Sequence, residues 1–288
     1  MTLPEMMRRF PTEKHCIDYL EKVRWNGTPV CPYCGHTCTD NKRKDGRYNC
    51  GSCHRAFRVT VGTLFHKTHQ SLQQWFLLIV LMLHAKKGAS GHQLAKDCGL
   101  KQPTVWLMTM KIRKAMEFGN GGLLEGIVEI DETYIGGKPR KKNTDGTGRS
   151  GRKGGGSAGK DIVLGAVERG GDVKAERIES VNKRTIQRFL RTNTRGATIY
   201  SDSYYVYRNI SDKQINHHER FVDGELHTNS IESFWANLKR GIFGQFHHIS
   251  PRHLNAYIAE FAYKFNRRRV DNTFDETVQW MVATSPAL

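Results

Sequence analysis

No stretch of this 288-residue chain stays apolar for the 18 or so positions that a membrane-spanning helix requires. The longest apolar run, FLLIVLML at 76–83, is too short. The first ten residues, MTLPEMMRRF, lack the apolar core of a secretory signal. Both absences point to a cytosolic protein with no membrane partner. Acidic residues are also scarce: 28 Asp and Glu stand against 45 Lys and Arg, for a net charge of +17. Such an imbalance bears on partners rather than on fold, and it favours a large polyanion, nucleic acid before membrane. There is no internal repeat, which sets solenoid architectures aside. Disulfides are disfavoured in the cytosol, so the seven cysteines need another role.

Four of them have one. CPYC begins at Cys31 and CGSC at Cys50, giving Cys31, Cys34, Cys50 and Cys53 as a C-x2-C-x15-C-x2-C set. That spacing falls in the range of structural zinc sites, and four thiolates leave no open coordination position. Cys38 and His54 are alternative ligands. A redox role fits less well, because there are two C-x-x-C pairs and no thioredoxin-like pattern near them. Lys42, Arg43, Lys44, Arg47, Arg55 and Arg58 surround the set and favour nucleic acid over a merely solvated surface.

Helices dominate the N-terminal part. Ile17, Leu20 and Val23 form a stripe over 12–24. SLQQ at 71–74 reads as a capping box for a helix burying Leu72, Trp75, Phe76, Ile79 and Leu83. SGHQ at 90–93 repeats the signal, Gly99 stops the short helix, and Pro103 opens the next. Val105, Met108, Ile112 and Ala115 then recur at helical spacing. Short helix, tight turn and longer basic helix outline a helix-turn-helix, with Gln102, Thr104 and Lys111 as candidate DNA contacts. From 126 the pattern turns to strands: GIVEID, DIVLGAVE (161–168), VKAERIES (173–180) and ATIYSD (197–202), with RGGD a hairpin turn between the second and third. A helix is expected at 182–193, and two more follow, through NSIESFWANLKRGI and from Pro251 onward. Residues 137–160 have almost no apolar side chains and read as a flexible basic loop supplying salt-sensitive, sequence-independent affinity.

Asp131 and Asp202 each close a strand. Glu232 lies on a helix, with Asn229 three residues before it and Lys239 seven after, two turns on and on the same face. Ile231, Phe234 and Leu238 would face the sheet. Hard oxygen ligands of this kind suit Mg²⁺, and two such ions can serve an in-line phosphoryl displacement. Lys239 would grip a DNA phosphate. Singly, a strand-end Asp is most often a turn residue and a helical Glu a solvated one; their order is what carries weight. Glu129 and Glu132 are taken as supporting or solvated acids. His227 and Trp235 are weighed as DNA or metal-water contacts against structural and core roles, and the NRRR run at 266–269 as a DNA contact against a favourable helix end.

With these motifs in place, the chain resembles the DDE transposases of bacterial insertion sequences that carry an N-terminal zinc ribbon, the ISXO-type group. The resemblance rests on CPYCG, YNCGSCHRAFRVTVGTLFHKT, LAKDCGLKQPTVWLMTMKIRKAM, EIDETYIGGK, YSDSYYVY, HTNSIESFWANLKRGIFGQFHHIS and YIAEFAYKFNRR, and so covers most of the chain. It implies an α/β, RNase H-like catalytic domain with a mixed sheet and flanking helices, preceded by the ribbon and the helix-turn-helix-like segment. It implies two Mg²⁺ ions, with Mn²⁺ an alternative, and cutting and joining of double-stranded DNA at terminal inverted repeats and target. Asp131 and Asp202 match the first two acids. The third is Glu232 or Asn229, with Glu232 preferred because carboxylates bind Mg²⁺ better than amides. The expected layout is a helical segment at 1–28, zinc ribbon at 29–66, helical DNA-binding segment at 67–120, catalytic domain at 124–270 and a tail at 271–288. Joining two ends implies at least a homodimer on DNA, in a cytoplasmic, nucleoid-associated setting. A non-catalytic DNA-binding regulator and a host nuclease with the same core are the rival readings.

Overall fold

The computed structural model describes residues 1–38, 42–136, 159–215 and 229–284. They form two compact units, Met1–Gly121 with Arg267–Leu288 and Gly122–Asn266.

The first unit contains α1 (Leu3–Arg9), α2 (Glu13–Trp25), the two-stranded ribbon β1 (Tyr48–Asn49) and β2 (Ala56–Phe57), and helices α3 (Leu72–His84), α4 (Gly91–Cys98) and α5 (Gln102–Gly119). Ser71 and Gln74 form the reciprocal capping box at the start of α3. Ser90 caps α4 through the Gln93 N–H, but the Gln93 side chain turns forward to Asp97 at 2.7 Å, so the second box is only half made. Gly99 ends α4 in the left-handed conformation, where any side chain would be strained. The N-terminus of α3 gains a further acceptor: the Glu13 carboxylate takes the N–H groups of Leu72 and Gln73 at 3.0 and 3.3 Å.

The segment expected as a tail carries a helix, α9 (Thr273–Ala283), which packs in this unit against α5, α2 and α3. Its Phe274, Thr277, Val278 and Met281 are buried at i, i+3, i+4 and i+7. Phe274 completes an aromatic cluster with Phe10, Tyr19 and Phe76, while Asp275 accepts from Arg9 at 2.8 Å and from Tyr19 at 2.5 Å. Burial of that stripe holds the segment in place.

The second unit is a five-stranded mixed sheet with helices on both faces. Its strands are β3 (Ile127–Ile135), β4 (Asp161–Glu168), β5 (Val173–Ile178), β6 (Thr198–Asp202) and β7 (Lys213–Ile215), in the spatial order β5-β4-β3-β6-β7. The first three pair antiparallel and β3-β6-β7 pair parallel. Antiparallel neighbours need only short turns, and RGGD supplies one between β4 and β5: Gly171 N–H donates to the Glu168 carbonyl, and Glu168 N–H to that of Asp172. Parallel β6 needs a crossover, which α6 (Lys183–Asn193) provides. This is the RNase H-like arrangement expected.

Alternation along β3 divides the core. Val128 and Ile130 join Ile186, Phe189 and Leu190 of α6 on one face. On the other face Ile135 joins Ile231, Phe234, Trp235 and Leu238 of α7 (Asn229–Gly241) and Ile258, Phe261 and Ala262 of α8 (Leu254–Asn266). The basic stretch 137–160 leaves from Ile135 and returns at Asp161, which are paired; residues 137–158 lie outside the described residues.

Gly165 fixes how closely α7 approaches. It lies directly across from Asp131, and an added Cβ would stand 2.5 Å from Trp235 Cη2. Gly165→Ala must therefore push the indole outward. Thermal unfolding should show a loss of about 1–3 kcal/mol, as for overpacked cores. A Tm matching wild type would mean α7 can ride outward without cost.

Candidate functional site

The cysteine site is assembled by two matching turns. Cys31 N–H donates to the His36 carbonyl and Cys50 N–H to the Arg55 carbonyl, while Gly35 and His54 return N–H bonds to Cys31 and Cys50. Gly35 and His54 each follow the second cysteine of a pair, and both adopt left-handed φ, 74° and 58°. His54 is spent on that turn and is not part of the ligand group. Cys38 is buried, with its Sγ toward the His36 carbonyl, and stands outside the group too. The sulfurs of Cys31, Cys34, Cys50 and Cys53 lie within 4.8 Å of one another, with Cys31–Cys53 at 3.7 Å and Cys34–Cys50 at 3.4 Å. Tetrahedral zinc with bonds near 2.3 Å sets sulfurs about 3.8 Å apart, so the quartet fits a structural zinc. Cys53 N–H also donates to Cys50 Sγ, which favours the thiolate. Around the site, Lys42 pairs with Glu21, Arg47 with Asp45, and Arg55 lies over the Tyr33 ring.

The carboxylates come from the second unit. Glu129 pairs with Tyr200 across β3 and β6, and Asp131 and Asp202 each lie two residues further on. They are therefore level, on adjacent parallel strands and on one face of the sheet. Asp202 closes β6 as expected, but Asp131 does not close its strand: β3 continues to Ile135 because Glu132–Ile135 pair with Leu164–Asp161 of β4. Asp202 Oδ1 accepts the Tyr204 N–H at 3.0 Å, a local turn that fixes the side chain. Asp131 Oδ2 accepts the Trp235 Nε1–H at 3.0 Å. Burial, then the nearby charges of Glu132 and Asp202, push the Asp131 carboxyl up to about 7. Glu132 points to the opposite face, where Tyr207 donates to it at 2.5 Å; burial raises its pKa as well.

Helix α7 lies over this face with Ile231, Phe234, Trp235 and Leu238 turned inward. Glu232 and Asn229 are exposed and Lys239 half-buried, on the flank beside Trp235. Among the described residues, only the cysteine quartet gathers three or more side chains that could hold an ion. Asp131 and Asp202 are thus brought together, and the Glu232 carboxylate is not drawn into a closed cage with them. Carboxylates repel one another, and Mg²⁺ keeps waters and substrate oxygens instead of filling an all-protein cage. Glu129 has another place: it is fully buried. Its carboxylate accepts from Ser230 N–H (2.9 Å), Ile231 N–H (3.2 Å), Ser230 Oγ–H (3.2 Å) and Arg169 Nε–H (2.9 Å).

The remaining candidates divide. Trp235 is a core residue that also reaches Asp131. Lys111 Nζ donates to the His66 carbonyl at 3.2 Å and lies over the Trp75 ring, tied into its own unit. Gln102 and Thr104 are half-buried at the start of α5. Arg267 is engaged with Glu276 and the Gly119 carbonyl, while Arg268 and Arg269 are exposed. His227 lies outside the described residues.

No helix of the described residues is long and apolar enough to cross a membrane. Residues 11–56 match the transposase zinc-ribbon domain. Over 272 residues the chain is 25% identical to an uncharacterized protein in transposable element ISH50 of Halobacterium salinarum, covering 88% of this chain and 91% of that one. A solved Mos1 transposase paired-end complex with left transposon end aligns at 15% identity and TM-score 0.20, over 64% of this chain and 77% of that one, too distant a likeness to inform the site. Residues 123–266, the whole sheet with α6, α7 and α8, match the ISXO2-like transposase domain, and the chain belongs to that family.

Proposed function

We propose that this transposase binds the terminal inverted repeats of an insertion sequence, hydrolyses the DNA at the element ends and joins the freed 3′-hydroxyls to target DNA. The reading is carried by one observation: Asp131, in the middle of β3, and Asp202, at the end of β6, stand level on adjacent parallel strands, on the face covered by the helix that bears Glu232. Asp131, Asp202 and Glu232 would hold two Mg²⁺ ions or Mn²⁺, with Asn229 the alternative third ligand. When bound, the ions supply Lewis-acid activation of the attacking oxygen and stabilise the leaving oxygen. The chain's own residues do the rest. Trp235 orients the Asp131 carboxylate, and Asp131 must give up its proton before it can ligate. Lys239, two turns beyond Glu232, takes a non-bridging phosphate oxygen. Water breaks the phosphodiester and leaves a 3′-hydroxyl; that hydroxyl then attacks a target phosphodiester, whose own 3′-oxygen departs.

The zinc ribbon and the α4–α5 pair would engage double-stranded repeat DNA, aided by the basic stretch 137–160. Two ends meet at one target, so the working complex holds at least two copies. The test uses purified protein, Mg²⁺ and duplex oligonucleotides carrying the element's ends. Products longer than the input strand are expected on denaturing gels. Cleavage without joining would favour a nuclease, and binding without either a regulator.

A further inference from the structure

We propose that Glu129 is a positioning residue: it locks the first turn of α7 to β3 and thereby sets where Glu232 stands relative to Asp131. The proposal rests on the metal-dependent reading above.

The first N–H groups of a helix have no partner within it. On α7 those of Ser230 and Ile231 converge on one carboxylate, and the Ser230 hydroxyl adds a third bond. Glu129 is fully buried, so this anchorage does not compete with water. Its charge is balanced from both sides: Arg169, at the β4–β5 turn, donates at 2.9 Å, and the positive end of the α7 dipole faces it. Removing one partner of such a buried pair leaves an uncompensated charge, which is why each bond to this carboxylate counts.

Its place in the sequence matters more than its energy. Glu129 and Asp131 are successive residues on one face of one strand. Ser230 and Ile231 directly precede Glu232. The clamp therefore ties the residues next to one candidate ligand to the strand that bears another. A second tie, Trp235 to Asp131, lies one turn along the helix and is seated against Gly165. Two attachments in line, one polar and buried and one resting on a glycine, fix both the height and the rotation of α7. Neither Glu129 nor Arg169 need touch DNA or metal. A misplacement of about 1 Å in such a support is enough to cost a large factor in function.

The test is Mn²⁺ affinity of the full-length protein without DNA, read from the free-ion electron paramagnetic resonance signal. Amide hydrogen exchange of α7 accompanies it. Glu129→Gln keeps an acceptor oxygen but loses the charge. We expect Mn²⁺ binding to weaken about tenfold, with faster exchange at Ser230 and Ile231. Ser230→Ala removes only the hydroxyl bond and should weaken binding about two- to threefold; it serves if Glu129→Gln does not fold. Arg169→Gln leaves the bonds to α7 intact and should lower Tm without moving Mn²⁺ affinity. Wild-type affinity in both Glu129→Gln and Ser230→Ala would overturn the proposal. So would an equal loss in Arg169→Gln, which would assign the effect to charge balance. Should wild type itself bind no Mn²⁺, the metal-dependent reading fails first, and the exchange data then report the clamp alone.

Discussion

Asp131→Asn is expected to abolish end cleavage while making the protein more stable. The two effects share a cause. Burial and the neighbouring Glu132 and Asp202 raise the Asp131 carboxyl to about 7. In the unfolded chain the same group ionises near 4. Between those values the folded protein holds a proton that the unfolded one has released. The stability contributed by this group is therefore full below about pH 4, falls as pH rises, and levels off above about 7. Asn is isosteric with the protonated acid, still accepts from Trp235, and never ionises. Above pH 7 the variant should gain on the order of 2 kcal/mol, allowing for the partial exposure of the site, which corresponds to a Tm rise of about 4–8 °C. At pH 4 the two Tm values should converge. Mg²⁺ should raise the Tm of wild type, because an ion that binds only the folded state stabilises it, and should leave the variant unmoved. If Asp131 holds the ions as proposed above, cleavage of element-end duplexes should fall to background. Retained cleavage would remove Asp131 from the chemistry. An unchanged Tm across the pH range would mean the acid is not held protonated.

The same environment explains what sequence reasoning could and could not reach. Asp202 was legible because it ends an apolar strand; Asp131 read as a strand end too, but β3 runs on to Ile135 through its pairing with β4, and the end of parallel β6 lies beside Asp131 in mid-strand. The four cysteines were legible because their spacing is itself the geometry of the two turns. Glu129 was not. By alternation it sits on the Asp131 face, but an acid within an apolar strand reads as a solvated edge residue unless its partners are known. Those partners are Arg169, 40 residues on in sequence, and the backbone N–H groups of Ser230 and Ile231, which carry no side-chain signature. Val128 and Ile130 on either side are apolar, but they share the opposite face and say nothing of the face that Glu129 is on. Trp235 takes the core role of the two weighed for it, yet its bond to Asp131 depends on Gly165, which only the β3–β4 register puts beneath the indole. Helix α9 had its apolar spacing in plain view at Phe274, Val278 and Met281. Taking 271–288 as a tail gave too much weight to its position at the end of the chain. Lys111 looked available to DNA because helical spacing says nothing of the His66 carbonyl it reaches.

Removing the zinc should be the most damaging single change to the first unit. The ribbon has only two strands of two residues each, and its apolar support is a small cluster of Trp25, Tyr48 and Phe57. Two-stranded pieces of that size are not stable by themselves. Binding free energies of structural zinc run to about 10–16 kcal/mol in small domains, and much of that is folding free energy. Cys34→Ser leaves three thiolates and exchanges a soft ligand for a hydroxyl. Chelator or this substitution should release about one zinc per chain, measured by a colorimetric zinc assay. The amides of residues 30–57 should then lose their exchange protection. The loss should stay local. Helices α3, α5 and α9 are held by their own apolar stripes and by the Phe10, Tyr19, Phe76 and Phe274 cluster, and the sheet belongs to a separate unit. Far-ultraviolet circular dichroism should therefore change little, while repeat-DNA binding should fall at least tenfold if the ribbon engages it. Lys42 gives the sharper discrimination. Its ammonium pairs with Glu21 on α2 at 2.7 Å. Lys42→Ala in the zinc-loaded protein should cost far less affinity than zinc removal. Equal losses would point to a charge effect instead of a folded ribbon. Unchanged binding after chelation would place DNA recognition in the helices alone.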